Sequence, residues 1–229
     1  MYEALLIELE GVLAETGPAR REALMRSLAD DGLAIDDEQY DDACAGFPVR
    51  EAVASAVAIS GAQRDETALD LIAHRAERYF AAAIAKGVSL APGARDFIAR
   101  AGGRTRLGLV TRASRRDAEF ILGLAEWEGT FETVVTCDDA HTQKPSGDPY
   151  EVALDRLARR KPVRPLGILA LEDGPAGILA AHAVKIRCVA VGSVLPHHAV
   201  NADAYAPSLE SHTLESLAEL VQRGRERVR

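Results

Sequence analysis

Leu5-Leu6-Ile7-Glu8-Leu9-Glu10-Gly11-Val12-Leu13-Ala14-Glu15-Thr16 is the stretch whose reading decides the fold. The apolar run from Ala4 to Ile7 is long enough for a buried strand. Glu8 and Glu10 follow at alternate positions, which an extended chain turns to the same side. Gly11 then breaks the strand. Open α/β sheets place their ligand crevices at the carboxyl ends of strands. Two carboxylates there can hold a metal, attack a phosphate or move protons. The alternative is a strand running out into a solvated acidic loop, and the rest of the chain has to decide between them.

Downstream, Thr16 stands where a helix cap is expected, with Pro18 in the first turn. From there to about Lys86 the sequence reads as helices. Leu24 and Leu28 recur at helical spacing, and Asp30-Asp31-Gly32 ends that segment. Asp36-Asp37 opens another helix, and Val49 to Ile59 follows the Gly46-Phe47-Pro48 break. Leu69, Ile72, Ala73, Ala76, Tyr79, Phe80 and Ala83 mark one apolar face. So long a helical block after one strand exceeds a βαβ crossover and reads as an inserted subdomain.

Beyond Pro92-Gly93, strands and helices alternate. Strands are expected at Arg106–Val110, Thr133–Thr136, Leu166–Leu171, Ile186–Val191 and Ala202–Tyr205. Helices are expected at Ala94–Ala101, Arg115–Leu124, Tyr150–Leu157, Ile178–Ala183 and Leu214–Val221, with the basic tail from Arg223 to Arg229 fraying. This alternation defines the fold class: α/β, a doubly wound parallel-sheet core with an inserted α-helical cap subdomain. The expected boundaries are 1–16 with 87–229 for the core and 17–86 for the cap.

Composition narrows the function classes. The 229 residues are enough to bury a core without disulfides, and 48% hydrophobic with 27% charged residues argues against disorder. A formal net charge of −8 leaves no electrostatic footprint for nucleic acid. Cys44, Cys137 and Cys188 are an odd, widely spaced set; Cys137 and Cys188 lie in apolar runs and read as core fillers. The first residues lack the pattern of a signal peptide, and no apolar run is long enough to span a bilayer. The expectation is a cytoplasmic protein with reduced thiols, without a membrane or nucleic-acid partner.

In a parallel sheet, the carboxyl ends of strands share one edge. Glu8 and Glu10 end the first strand, Thr111 the second, Lys144 follows the third, and Glu172 and Asp173 end the fourth. Residues far apart in sequence therefore converge as four carboxylates, a hydroxyl and an ammonium. Carboxylate oxygens suit Mg²⁺, which takes one or two of them together with substrate phosphate. A hydroxyl and a lysine suit the remaining phosphate oxygens.

On these residues the chain resembles the haloacid dehalogenase (HAD) superfamily, in the helical-cap branch that includes β-phosphoglucomutase and the CbbY-type sugar phosphatases. Glu8-Leu9-Glu10-Gly11-Val12-Leu13-Ala14-Glu15-Thr16 parallels the family's Asp-x-Asp-Gly motif. Leu109-Val110-Thr111 parallels its strand-ending Thr or Ser. Lys144-Pro145-Ser146-Gly147-Asp148-Pro149-Tyr150 and Glu172-Asp173-Gly174-Pro175-Ala176-Gly177-Ile178 parallel its last two motifs. The resemblance implies a nucleophile at Glu8, an acid/base at Glu10, and Thr111 and Lys144 holding the transferring group. It also implies Mg²⁺ between Glu8, Glu10, Glu172 and Asp173, and a cap that closes over the site. The ligand implied is a small phosphorylated metabolite, a sugar phosphate first of all, handled by a monomer or weak homodimer.

The departures matter as much. Both acids of the first motif are Glu where the family has Asp, and one methylene moves a carboxylate by on the order of 1 Å, a displacement that can cost about a hundredfold in rate. Paired changes compound where groups act as a unit, so a catalytically impaired HAD-fold protein that binds a phosphate ligand or a partner stands beside the Mg²⁺-dependent phosphatase. A metal-free 2-haloacid dehalogenase is a third reading, opposed by Glu10 and by the Glu172-Asp173 pair. Gly174 replaces the usual Ser. In the cap, the resemblance implies substrate contacts from Arg50, after the Gly-Phe-Pro break, from Arg20 and Arg75, and from Thr16. Arg20 replaces the His of the mutases, which argues against mutase activity; a solvated helix face is the alternative for Arg20 and Arg75. Arg112 either adds a phosphate contact or faces solvent. His141, His182, His197 and His198 read as surface or loop residues.

Overall fold

The computed structural model describes residues 2–192 and 201–227; His197 and His198 lie outside them. The chain forms two compact units, residues 1–15 with 89–229, and residues 16–88.

The first unit is built on β1 (Ala4–Ile7), β2 (Arg106–Val110), β3 (Thr133–Val135), β4 (Ile168–Glu172), β5 (Arg187–Val191) and β6 (Ala204–Ala206). They form one sheet in the order β3-β2-β1-β4-β5-β6, parallel at every pairing. The chain fills one side of β1 first and then the other, which makes the end of β1 the topological switch point where such sheets bind ligands. Ile7 lies level with Leu109 of β2 and Leu171 of β4, so the residues after all three come out together.

All four residues of β1 are fully buried, as a strand covered on both faces requires. Ala4 and Leu6 pack in one cluster with Ile168, Ala170, Cys188 and Ala190 from neighbouring strands. Tyr150, Ala153 and Leu157 of α7 (Asp148–Ala158) and Ile178 and Ala181 of α8 (Pro175–Ala183) close that cluster. The remaining helices of this unit are α5 (Ala94–Ala101), α6 (Arg115–Leu124) and α9 (Leu214–Arg227).

The second unit is helical throughout: α1 (Gly17–Ala29), α2 (Asp37–Ala43), α3 (Val49–Ile59) and α4 (Glu66–Ile84). Asp36 opens α2 with a capping box, its carboxylate accepting from Gln39 N–H while the Gln39 side chain accepts from Asp36 N–H. Leu24, Leu28, Tyr40, Val53, Val57, Leu69 and Ile72 form its separate core.

Several local expectations change. Thr16 takes the cap position of α1, but its hydroxyl makes no capping bond. β4 begins at Ile168, because Pro165–Gly167 makes a turn of 3-10 helix first. β6 is displaced to Ala204–Ala206, and α9 continues through Arg223 to Arg227. Tyr79 and Ala83 are only half-buried on the flank of α4. Cys44 and Cys188 are buried, but Cys137 is half-buried, since β3 has ended at Val135 and the chain is already turning. None of the three forms a disulfide.

Candidate active site

The strand alternation expected to align Glu8 with Glu10 ends at Ile7. The chain turns at once: Leu13 and Ala14 N–H both bond to Leu9 C=O, and Gly11 N–H bonds to Ala14 C=O. Gly11 takes φ +80°, and a Cβ there would lie 2.6 Å from Asp173 Oδ2, so glycine is required twice over. The two acids part company in this turn. Glu8 is buried, while Glu10 is half-buried.

Glu8 is held at both oxygens. Oε1 accepts from Leu9 N–H at 2.8 Å and from Glu10 N–H at 3.3 Å. Oε2 accepts from Lys144 Nζ at 2.8 Å. Burial opposes its charge, but the Lys144 ammonium, the Arg112 guanidinium and the Thr111 hydroxyl hold the carboxyl below its ordinary range.

Lys144 reaches this point from the loop after β3 and is 2% exposed. Its three donors go to Glu8 Oε2, to Val110 C=O at 2.8 Å and to Glu172 Oε1 at 2.6 Å. Burial works against the ammonium, yet Glu172 and Glu8 raise its pKa and keep it charged. Thr111, one residue past β2, is buried and accepts from Ala113 N–H at 3.2 Å.

Glu172, the last residue of β4, accepts on Oε1 from Lys144 and from Tyr150 Oη, the latter at 2.5 Å. Its Oε2 is buried and has no hydrogen-bond partner among the described residues. Gly177 leaves the space for this carboxylate, since a Cβ there would come within 2.0 Å of Oε2. Burial raises the Glu172 pKa against the pull of Lys144. Asp173 is pushed up to about 7 by burial and by the charges of Glu8 and Glu172, with Arg112 and Lys144 opposing.

Glu8, Glu172 and Asp173 each offer an oxygen within 4.8 Å of the others. Hard oxygens at that separation, on a set that includes the carboxylate with the unpaired Oε2, fit a divalent cation of the Mg²⁺ class. The Glu10 side chain lies outside this set.

Arg112 belongs here rather than in bulk solvent. Asp173, Glu8, Glu10 and Glu172 all act on its charge and raise its pKa against burial. Tyr150 and Gly177 lie inside the third and fourth motifs, but nothing in their spacing reveals that they serve the same carboxylate.

The arginines expected to meet substrate are engaged within the helical unit. Arg20 donates to both Glu77 oxygens, at 3.1 and 3.0 Å, and lies 3.4 Å over the Phe80 ring. Arg50 pairs with Asp70 and Glu66, and Arg75 with Asp31 at 2.6 Å. Thr16 is buried at the start of α1. His141 is exposed, and His182 pairs with Asp203 at 2.9 Å.

A parallel sheet carrying acid, hydroxyl, lysine and paired acids on four successive strand ends defines the class, and the haloacid dehalogenase-like hydrolase family model matches residues 5–191. The chain belongs to that family. It is 31% identical over 191 residues to validoxylamine A 7'-phosphate phosphatase of Streptomyces hygroscopicus subsp. limoneus, covering 82% of this chain and 85% of that protein. It is 31% identical over 232 residues to protein CbbY of Cereibacter sphaeroides, covering 96% and 94%. Among solved structures, a variant of CbbY from Rhodobacter sphaeroides in complex with xylulose-(1,5)bisphosphate superposes with a TM-score of 0.81 at 28% identity, covering 95% of this chain and 99% of that one. Among the described residues, no helix is long and apolar enough to cross a membrane.

Proposed function

We propose that the protein is a Mg²⁺-dependent phosphatase that acts on a small phosphorylated metabolite, a sugar phosphate first of all. The observation that carries this reading is the Lys144 ammonium bonded at once to Glu8 and Glu172, at the strand ends where Thr111 and Asp173 also emerge. One relative named above is a phosphatase of validoxylamine A 7'-phosphate and one solved structure holds xylulose-(1,5)bisphosphate, which supports the same class.

In this reading Glu8, kept ionised by Lys144 and Arg112, attacks phosphorus and forms an acyl phosphate. Glu10, the more exposed acid, protonates the leaving oxygen and then takes a proton from water. Thr111 and Lys144 hold the phosphoryl oxygens. A divalent ion held by Glu8, Glu172 and Asp173 would supply charge neutralisation at those oxygens when bound. Arg50, Arg20, Arg75 and Thr16 keep the substrate-binding roles that the family resemblance implies. Alanine variants that raise KM at unchanged kcat support those roles.

The test is phosphate release from a panel of sugar phosphates, with Mg²⁺ and with chelator. Release that requires Mg²⁺ and disappears in Glu8→Ala supports the proposal. One observation favours a second reading, a ligand-binding protein with impaired chemistry: both oxygens of Glu8 are already engaged. No release by the wild type, but release after Glu8→Asp with Glu10→Asp, would establish that reading instead.

A further inference from the structure

Glu8 folds its carboxylate back onto the chain that follows it. Its Oε1 sits on two successive backbone N–H groups, those of Leu9 and Glu10, at 2.8 and 3.3 Å. Successive N–H groups that converge on one point form an anion-binding concavity. The Lys144 ammonium stands 2.8 Å from the other oxygen of the same carboxylate. Together these make a three-donor cradle for an oxyanion.

We infer that Glu8 itself fills this cradle in the resting protein, in the place of the phosphoryl oxygens that the functional reading above puts there. An incoming phosphoryl group then has to displace the Glu8 carboxylate from the Leu9 and Glu10 N–H groups before it binds.

Three features support the assignment. The glutamate side chain is long enough for its carboxylate to loop back onto the next two amides of its own chain. Glu8 is 1% exposed, so no water competes for these donors at low cost. All three Lys144 donors are committed, to Glu8, Val110 and Glu172, so the same displacement also releases a lysine donor for the arriving anion. A site that is open only part of the time binds its ligand more weakly by the fraction of time it is open. Displacement also detaches the carboxylate from its own amides, which leaves one of its oxygens able to face phosphorus. The inference shares its ligand class with the functional reading above, but it rests on anion binding and not on turnover.

The experiment is a calorimetric titration of metal-free protein with inorganic phosphate, using wild type, Glu8→Gln and Glu8→Ala. Gln removes the charge but keeps the length and an acceptor oxygen, so it still fills the cradle. Ala removes the occupant. The expected result is phosphate binding about tenfold tighter in Glu8→Ala than in Glu8→Gln, the factor for a site open about one tenth of the time. Equal affinities would mean that charge repulsion alone governs access, and would overturn the inference; so would a failure of Glu8→Ala to bind phosphate. A second measurement needs no variant: in wild-type protein, phosphate should shift the Leu9 and Glu10 amide resonances. Phosphate binding that leaves both amides unmoved overturns the inference as well. A protein that passes these tests but releases no phosphate from any ester sinks the phosphatase reading alone.

Discussion

Tyr150 donates its hydroxyl hydrogen to Glu172 Oε1 at 2.5 Å, and neither side chain is open to solvent. With Lys144 on the same oxygen, the carboxylate is fixed in rotation and its Oε2 keeps no hydrogen-bond partner among the described residues. Burial, with the adjacent Glu172 charge, pushes the Tyr150 pKa well up, so the phenol remains a donor throughout the physiological range. Tyr150→Phe keeps the ring and removes only the donor. Mn²⁺ affinity, read from the thermal shift on titration, should fall about tenfold, the low end for loss of a ligand's hydrogen-bond partner. Denaturation should show a stability loss of about 1 kcal/mol. A variant with wild-type Mn²⁺ affinity would show that Glu172 holds its orientation without the phenol.

Lys144→Met fills the space but leaves the Glu8 and Glu172 carboxylates buried without their shared cation. Breaking a buried pair by removing one partner costs about 3–5 kcal/mol. Urea denaturation at pH 7 should show a loss in that range. Because the groups act as one network, Lys144→Met combined with Glu8→Gln should lose less than the sum of the two single changes.

Two glycines three residues apart should respond oppositely. A Cβ at Gly177 would lie 2.0 Å from Glu172 Oε2 and 2.1 Å from its Cδ. Gly177→Ala should therefore destabilise by about 1–3 kcal/mol, as overpacking does, and should weaken Mn²⁺ binding. Gly174 has open space around its Cβ position and stands at the cap of α8 with extended backbone. Gly174→Ser should be neutral or stabilising by a few tenths of a kcal/mol, because Ser caps helices at least as well as Gly. Thermal melts of the two variants decide the matter.

Asp139 should mark the acid limit of stability in the loop that leads to Lys144. Burial raises its pKa, but bonds from Arg156 and from the N–H and hydroxyl of Thr136 outweigh that and lower it from 3.8 to about 2. Since the folded pKa is depressed, its stabilisation is full above the unfolded value near 4 and is lost as pH falls through about 2. The carboxylate is partly solvated, so its contribution after screening is about 1–2 kcal/mol. Asp139→Asn should show that deficit in urea midpoints at pH 7 and lose it towards pH 2. A deficit that does not change with pH would assign the effect to packing.

Much of this was legible in the chain. Ala4–Ile7, Arg106–Val110, Ala94–Ala101 and Arg115–Leu124 form where apolar runs or 3.6-residue periodicity, punctuated by Gly, Pro and caps, leave little choice. The short edge strands shifted because two or three residues carry little pattern, and Ala204–Ala206 is set by its pairing with Val189–Val191. The convergence of the candidate residues of the first unit was legible because parallel topology carries every strand end to the same edge, so Glu8, Thr111, Lys144, Glu172 and Asp173 had to meet. The sequence does not decide whether Arg112 meets phosphate or solvent, because the direction of a side chain two residues past a strand depends on the turn that follows.

By itself, the sequence determined that Glu8 stands at the end of a buried parallel strand, with a lysine and two more acids arriving from other strand ends. Strand order and hydrophobic pattern are one-dimensional information and survive in the chain. Only the tertiary structure decided where the Glu8 carboxylate points. The turn at Gly11 separates it from Glu10, and Lys144 and two backbone amides take both its oxygens. Which donors a buried carboxylate meets is settled by distances of a few tenths of an ångström among groups remote in sequence, and spacing along the chain does not record them.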